Sequence, residues 1–351
     1  MKFFTDVQLE RYQQLEDKYK ALFTAPENCE TLVQITVPNP ETIRIADQIA
    51  DPQKMLEQIL SDAALHAEIG DDQLPMARVN FGTAQVAGAF GTPFIVLENS
   101  LPAAGEPVIT SSEAVQELKM PTMQDGWIPK LDAFTDYFKT HLPAGIPIQH
   151  PDIQSPFNSA HLIRGNDILF DFYDNPDAVR ELLAKVTDFM LAFTRHVKDQ
   201  ISTDSEWFYD MGGLWKGAAR ISDCSLQMVG PDIYHEFIRG EDIRFMQAIG
   251  GGRVHYCGSL PEVIGDFLHT DGIYGVEIDL QYHAIDAISA ICPPEKVVRF
   301  CDWSTSPGNG LWLGRLLSGD KPKKKNIVIN AKADTVREAK RLYDVLKTAL
   351  A

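Results

Sequence analysis

The feature that most constrains this chain is an alternation of strand-length and helix-length segments in its second half. From Trp127 onward, short apolar runs are followed repeatedly by stretches with helical caps and apolar stripes. Repeated strand and helix units of this kind predict a parallel sheet with right-handed crossovers. The length of 351 residues fits eight such units. We therefore predict an α/β fold of the (β/α)8 type, a TIM barrel with an N-terminal helical extension.

Two segments are expected, an N-terminal helical cover over residues 1–74 and the barrel over residues 75–351. Residues 8–22 and 52–69 have the pattern of amphipathic helices, and the second begins with a favourable N-cap and a first-turn proline. A first barrel strand is expected within residues 78–90. Residues 100–126 are rich in Pro, Gly and Ser and predict a loop that can serve as a lid.

Most of the remaining strands are predicted from short apolar runs that end at polar or glycine-containing turns. One is expected in GIPIQHPDI, before a polar turn and a helix. The others are expected at residues 207–210, 219–223, 253–257, 275–280, 296–303 and 326–331.

Charge and cysteine content limit the class of partner and the compartment. The formal net charge of −17 argues against nucleic acid and anionic membranes as partners. Asp6 and Glu10 stand where a signal peptide needs an apolar run, and no window approaches eighteen apolar residues, so a cytoplasmic protein is expected. The five cysteines are odd in number and widely spaced, which favours metal binding or burial over disulfides.

The segment GGGRVHYCGSL, residues 250–260, contains the strongest site pattern. Residues two apart on a strand project from the same face, roughly 6.6 Å apart, so His255 and Cys257 can share a metal ion. Imidazole nitrogen and thiolate sulfur are ligands that favour zinc. The alternative is a buried histidine beside a cysteine that serves as a small apolar residue.

Further candidates follow from the position of active sites in barrels, at the C-terminal ends of strands. Residues at predicted strand ends are His255, Cys257, Asp223, Asp279 and Cys301. Asp152 and Gln154 precede a helix and are expected to line the cleft, although an Asp at such a position is as often a helix cap. Trp303 is either a wall of the cleft or part of the core.

Several blocks resemble the uroporphyrinogen decarboxylase superfamily. They are the stretches DIQSPFNSAHLIRGNDILFDFYDNPDAVRELLAKVTDFM and ISDCSLQMVGPDIYHEFIRGEDIRFMQAIGGGRVHYCG, the strand KVVRFCDW, and the closing strand and helix. Their order and spacing carry the resemblance, which spans roughly residues 75–350. It implies the barrel fold and an active-site cleft at the C-terminal ends of the strands.

The superfamily includes two chemistries. True uroporphyrinogen decarboxylases are metal-free and carry Arg-x-Ala-Gly-Arg and Phe-Ser-Asp segments, and this sequence contains neither. Zinc-dependent methyltransferases resemble this chain in the His-x-Cys pair of the fifth strand. That resemblance implies Zn2+ at His255 and Cys257, and transfer of a methyl group from a corrinoid protein to a small thiol.

In those methyltransferases a third cysteine follows the last strand, but the corresponding segment here, NIVINAKAD, has none. Cys301 is the expected substitute, because it ends the preceding strand and can face the pair across the barrel mouth. Glu277 or Asp279 is expected either to complete the metal site or to orient His255. Asp223 and Cys224 come at a strand end, and both are expected to face the pocket.

Two other functions remain open at the level of sequence. One is a metal-free decarboxylase or lyase of the same fold, in which Arg253, Arg299 or Lys332 contacts a substrate carboxylate. The other is a catalytically silent barrel that binds a partner. Metal content separates the first of these from zinc-dependent methyl transfer.

Overall fold

A computed structural model describes residues 3–304 and 310–351 and shows a mixed α/β fold built on a seven-stranded parallel sheet. The strand order is β1-β11-β10-β9-β8-β7-β4. These strands are β1 Leu32–Thr36, β4 Ile153–Gln154, β7 Ala219–Ser222, β8 Gly252–Tyr256, β9 Ile273–Asp279, β10 Val297–Cys301 and β11 Ile327–Lys332. Two antiparallel hairpins accompany the sheet, β2 Phe94–Leu97 with β3 Ser100–Ala104, and β5 Trp207–Asp210 with β6 Gly213–Lys216.

Helices connect the strands and cover the sheet. They are α1 Asp6–Thr24, α2 Ile45–Ala50, α3 Pro52–Ile69, α4 Gln85–Ala89, α5 Ala114–Glu117, α6 Ile128–His141, α7 Pro156–Arg164, α8 Ile168–Asp174, α9 Pro176–Ile201, α10 Pro231–Ile233, α11 Arg239–Ala248, α12 Pro261–Leu268, α13 Ile285–Ile291, α14 Gly310–Ser318 and α15 Val336–Leu350. A π-helical turn, Tyr234–Ile238, joins α10 to α11, and a 3-10 turn, Cys224–Met228, follows β7. Within the described ranges, no helix has the length and apolarity needed to cross a membrane.

The strand predictions hold best in the last third of the chain. The four strands β8 to β11 form within three residues of the expected bounds, and each pairs in parallel with its neighbour. The predicted strand at residues 207–210 also forms, but it pairs with β6 in a hairpin outside the main sheet. The prediction of a first barrel strand within residues 78–90 is wrong, because residues 85–89 are helical and residues 78–84 form no strand. The predicted loop at residues 100–126 begins with β3 of a hairpin.

The N-terminal region supplies a strand as well as helices. The predicted helices over residues 8–22 and 52–69 are confirmed by α1 and α3. Between them lies β1, which pairs with β11 from Leu32 opposite Val328 to Thr36 opposite Lys332. Because β1 belongs to the main sheet, residues 1–74 are more than a helical cover. The boundary after residue 74 stays a prediction.

Along the edge of β1 that faces away from β11, two backbone N–H groups donate hydrogen bonds to buried aspartates. The Asp72 carboxylate accepts from the Val33 backbone N–H at 2.9 Å, and Asp71 accepts from the Ile35 N–H at 2.6 Å. Ala77, a few residues further on, forms an isolated parallel bridge with Ile148. No ladder of described residues joins this bridge to β1, so the pairings seen are those of an open seven-stranded sheet.

Charged side chains on one face of β7 to β10 cluster with Asp210 of the β5–β6 hairpin and with Asp152 beside β4. We call Asp152, Asp210, Arg220, Arg253, Glu277 and Arg299 the buried ionic layer; all are buried except Asp152, whose side chain is 16% exposed. Glu277 Oε2 lies 2.6 Å from Arg253 Nη1 and 2.5 Å from Arg299 Nη1, and Arg220 Nη1 lies 2.5 Å from Asp152 Oδ1. Buried charges need partners of opposite sign. The layer meets this requirement with three guanidinium groups and three carboxylates.

Candidate metal centre

The ends of β7 and β8 bring two cysteines and a histidine together. Ser222 pairs with His255 in the sheet, and the Asp223 N–H donates to the His255 carbonyl at 2.8 Å. The chain beyond β7 therefore runs beside the chain beyond β8, and Cys224 comes next to Cys257. One ligand atom from each of Cys224, His255 and Cys257 lies within 4.8 Å of the others. All three residues are partly exposed. We call these three candidate ligands the metal-ligand group.

Glu277 orients the imidazole of His255. The Nδ1 atom of His255 lies 2.6 Å from Glu277 Oε1. Burial opposes the charge of Glu277, but Arg253, Arg299 and Arg220 hold its pKa well below the ordinary value. A carboxylate only accepts hydrogen bonds, so Nδ1 carries the proton and Nε2 keeps a lone pair for a metal. This is the carboxylate and histidine arrangement that supports metal sites.

The pKa values of the two thiols are shifted in opposite directions. A hydrogen bond from Cys224, together with the nearby His255, lowers the pKa of Cys257 to about 5 against the effect of burial. The same thiol pair raises the pKa of Cys224. For His255, burial lowers the pKa, but bonds to Cys257 and Glu277 outweigh it and raise the pKa above its ordinary value. One thiolate is thus favoured at neutral pH, the form in which cysteine binds metal.

The donor set fits zinc. Two sulfurs and one imidazole nitrogen are ligands that zinc prefers, and three protein ligands leave a fourth position for substrate, as in catalytic zinc sites. The sulfur ligands are softer than the oxygen ligands that magnesium or calcium favours.

Cys301, the expected third ligand, lies outside this group, which contains Cys224 instead. Cys301 is completely buried, and its Sγ contacts Arg299 Nη1 at 2.7 Å. It belongs to β10, which is separated from β8 by β9, whereas Cys224 follows the strand directly beside β8. The sequence signal that points to Cys224 is its position two residues after a strand end.

Asp223 and Asp152 are tied into the buried structure. Asp223 is completely buried and accepts from Ser155 Oγ at 2.6 Å, and burial raises its pKa to about 6. Asp152 belongs to the buried ionic layer through Arg220. Neither carboxylate lies among the residues that line the cavity between α3, Arg299 and Trp303.

The remaining candidates divide between structural contacts and the cavity. Gln154 donates to Thr83 Oγ1 at 2.8 Å, and Asp279 accepts from the Gln281 backbone N–H at 2.8 Å. The Trp303 ring lies edge-on to the His255 ring, with centroids 4.7 Å apart. Trp303 also lines the cavity beside α3, so it connects that cavity with the metal-ligand group.

This cavity has a volume of about 470 Å³ and mixed polar and apolar walls. The side chains of Arg78, Arg299 and Lys332 bring positive charge to it, and α3 contributes Asp62 and His66. The Nδ1 atom of His66 is buried without a hydrogen-bond partner among the described residues. Because α3 forms one wall, the N-terminal region takes part in shaping the cavity.

The fold is shared with a solved protein. A methyltransferase from Methanosarcina mazei superimposes with a TM-score of 0.69 over 95% of this chain and 98% of its own chain, at 13% sequence identity. At this identity the similarity shows the fold alone. No family model matches the sequence. No curated protein sequence is similar to it.

Proposed function

We propose that the protein is a methyltransferase of the uroporphyrinogen decarboxylase type that binds zinc through Cys224, His255 and Cys257. The reaction is transfer of a methyl group from a corrinoid carried by a partner protein to a small thiol. The observation that carries the proposal is the convergence of two sulfurs and an imidazole within 4.8 Å at two adjacent strand ends. The sequence resemblance and the fold shared with a methyltransferase support it.

When zinc is bound in such a site, the chemistry that it supplies is ionisation of a coordinated thiol. The protein residues prepare the site for this substrate. Glu277 keeps the proton of His255 on Nδ1 and fixes the plane of the ring. Trp303 packs edge-on against the His255 ring and helps to hold it in place. The adjoining cavity offers room for a small thiol.

We also propose that the sheet forms the wall of an eight-stranded barrel. Around the sheet, the strands follow chain order from β4 through β7, β8, β9, β10 and β11, with β1 next to β11. The parallel bridge of Ala77 with Ile148 and the bonds from Asp71 and Asp72 to β1 lie where the eighth strand closes such a barrel. In this arrangement the metal ligands stand at the C-terminal mouth, over which a corrinoid protein docks.

A metal-free decarboxylase or lyase is less well supported. Two of the cations expected to hold a substrate carboxylate, Arg253 and Arg299, are buried and bonded to Glu277. Lys332 does line the cavity and donates to the Ser304 carbonyl at 3.1 Å. Arg299 lines the same cavity, but its charge is already paired with Glu277, so a decarboxylase of this fold has to rely on Arg78 and Lys332.

Metal content and methyl transfer test the proposal together. Protein purified under reducing conditions without chelators is expected to contain stoichiometric zinc by mass spectrometry. It is expected to demethylate methylcobalamin in the presence of a small thiol, measured by absorbance. His255→Ala is expected to lose both properties. Wild-type protein without zinc, or His255→Ala with full zinc content, contradicts the metal site. Zinc binding without demethylation contradicts methyl transfer alone.

A further inference from the structure

We infer that Asn158, at the N-terminal end of α7, is a positioning residue that holds Cys224 in place as the third metal ligand. The inference rests on the metal site proposed above. It extends that site to a helix that contributes none of the three ligands. It also assigns a role to residues that the reaction itself leaves unused.

Cys224 differs from the other two ligands in how the backbone holds it. His255 lies within β8, and Cys257 follows that strand directly. Cys224 begins a 3-10 turn beyond the end of β7. A short 3-10 turn has weaker hydrogen-bond geometry than a sheet, so its orientation depends more on contacts from outside. The position of the Cys224 sulfur therefore depends on what binds the residues beside it.

Both neighbours of Cys224 are bonded to the first turn of α7. On one side, Ser155 Oγ donates to Asp223 Oδ1 at 2.6 Å. On the other side, the Ser225 backbone N–H donates to Asn158 Oδ1 at 2.9 Å. Ser155 is also the N-cap of α7, because it accepts from the Asn158 backbone N–H at 3.1 Å. The two contacts hold the residues that flank Cys224 against a single rigid element.

The orientation of the Asn158 amide is fixed by a further chain of hydrogen bonds. Its Nδ2 donates to Gln154 Oε1 at 2.7 Å, and Gln154 Nε2 donates to Thr83 Oγ1 at 2.8 Å. Asn158 is 3% exposed, so water cannot replace these partners at low cost. With Nδ2 engaged by a carbonyl oxygen, Oδ1 is the atom that faces the Ser225 N–H. Gln154 thereby acts through Asn158.

Removal of the Asn158 side chain is expected to weaken zinc binding without abolishing it. Residues that orient a ligand typically contribute about 10- to 100-fold to metal affinity. We expect an affinity loss in this range for Asn158→Ala, measured by competition with a chelating dye. Asn158→Asp keeps an oxygen acceptor for the Ser225 N–H and is expected to retain most of the affinity. Gln154→Ala frees the amide to rotate and gives a milder loss in the same direction.

Asn326→Ala is the matched control. Asn326 is also buried and fixes a loop, donating from Nδ2 to the Lys296 carbonyl at 2.6 Å. It lies before β11, at the opposite strand end from the ligands. The control is expected to lower stability to urea while leaving zinc affinity unchanged. Equal zinc affinity in wild type, Asn158→Ala and Gln154→Ala overturns the inference. So does an equal loss in Asn326→Ala.

A double substitution tests whether Asn158 acts through Cys224. In a Cys224→Ser background, Asn158→Ala is expected to cause no further loss of zinc affinity, because the sulfur that it positions is gone. Cobalt(II) in place of zinc gives a spectroscopic readout, and Asn158→Ala is expected to weaken the thiolate charge-transfer band. Additive losses overturn the inference. A wild-type protein that binds no zinc instead refutes the proposed function, so the two failures are distinguishable.

Discussion

The buried ionic layer and the metal-ligand group lie next to each other along β7 and β8, yet their charges are treated in opposite ways. In the ionic layer, Arg220 and Arg253 are buried, and each forms an ion pair with a carboxylate. In the metal-ligand group, Cys224 and Cys257 are partly exposed, and the pKa of Cys224 is raised while that of Cys257 is lowered. The same strands thus provide a layer of fixed charge and a layer that can change its protonation. The two layers meet at the hydrogen bond from His255 to Glu277.

The largest effect is expected from Glu277→Gln in the ionic layer. The substitution removes the carboxylate that faces Arg253 and Arg299. Arg253 keeps Asp210 as a partner, but Arg299 is left buried without a carboxylate beside it. Breaking a buried pair in this way costs about 3–5 kcal/mol. The free energy of unfolding in urea, measured on metal-free protein, is expected to fall by this amount.

His255→Ala is the matched substitution in the other layer, because His255 pairs with Glu277 in the sheet. It is expected to lower the free energy of unfolding by only about 1 kcal/mol. If both variants lose similar stability, the division into a structural and a reactive layer does not hold.

A smaller, pH-dependent effect is expected at His150, which adjoins the ionic layer. Burial lowers the pKa of His150 to about 4, and its Nε2 has no hydrogen-bond partner among the described residues. An unfolded chain takes up this proton below about pH 6.5. Between pH 6.5 and 4 the unfolded state binds more protons, so stability falls as the pH decreases. Between pH 7 and pH 4.5, the titration of His150 is expected to lower the free energy of unfolding by about 2–3 kcal/mol.

The test compares urea unfolding of wild type and His150→Phe over that range. The variant carries no titrating group at this position, so its stability is expected to decrease less on acidification. Parallel pH profiles for the two proteins would show that the buried region admits a proton more easily than its packing indicates.

The smallest effect is expected from Cys301→Ser. Cys301 contacts Arg299 and lies outside the ligand group, so the substitution is expected to leave zinc affinity unchanged within about twofold and to cost about 1 kcal/mol of stability. Cys224→Ser is expected to reduce zinc affinity by at least about tenfold, since it removes a direct ligand. If chelator competition instead shows that Cys301→Ser loses zinc affinity and Cys224→Ser does not, Cys301 is the third ligand.

Local patterns predicted most of the late strands and the long helices. Strand β9 forms within two residues of the segment expected at residues 275–280, and α3 begins at Pro52 as its capping pattern indicates. Strand β1 was missed, although its residues Leu32–Thr36 are mostly buried. A short apolar run has no periodicity of its own that distinguishes a strand from a loop near helices. Its identity comes from pairing with β11, almost three hundred residues away.

In the candidate site, too, one part follows from local sequence patterns and another part only from strand pairing. The sequence by itself determined that His255 and Cys257 share one face, because side chains alternate along a strand whatever surrounds it. It also determined the strand and helix alternation that leads to a parallel sheet. Only the tertiary structure decided that Cys224 joins them while Cys301 does not. That choice depends on which strands are neighbours and in what register they pair, and neighbours far apart in the chain are brought together only by the folded sheet.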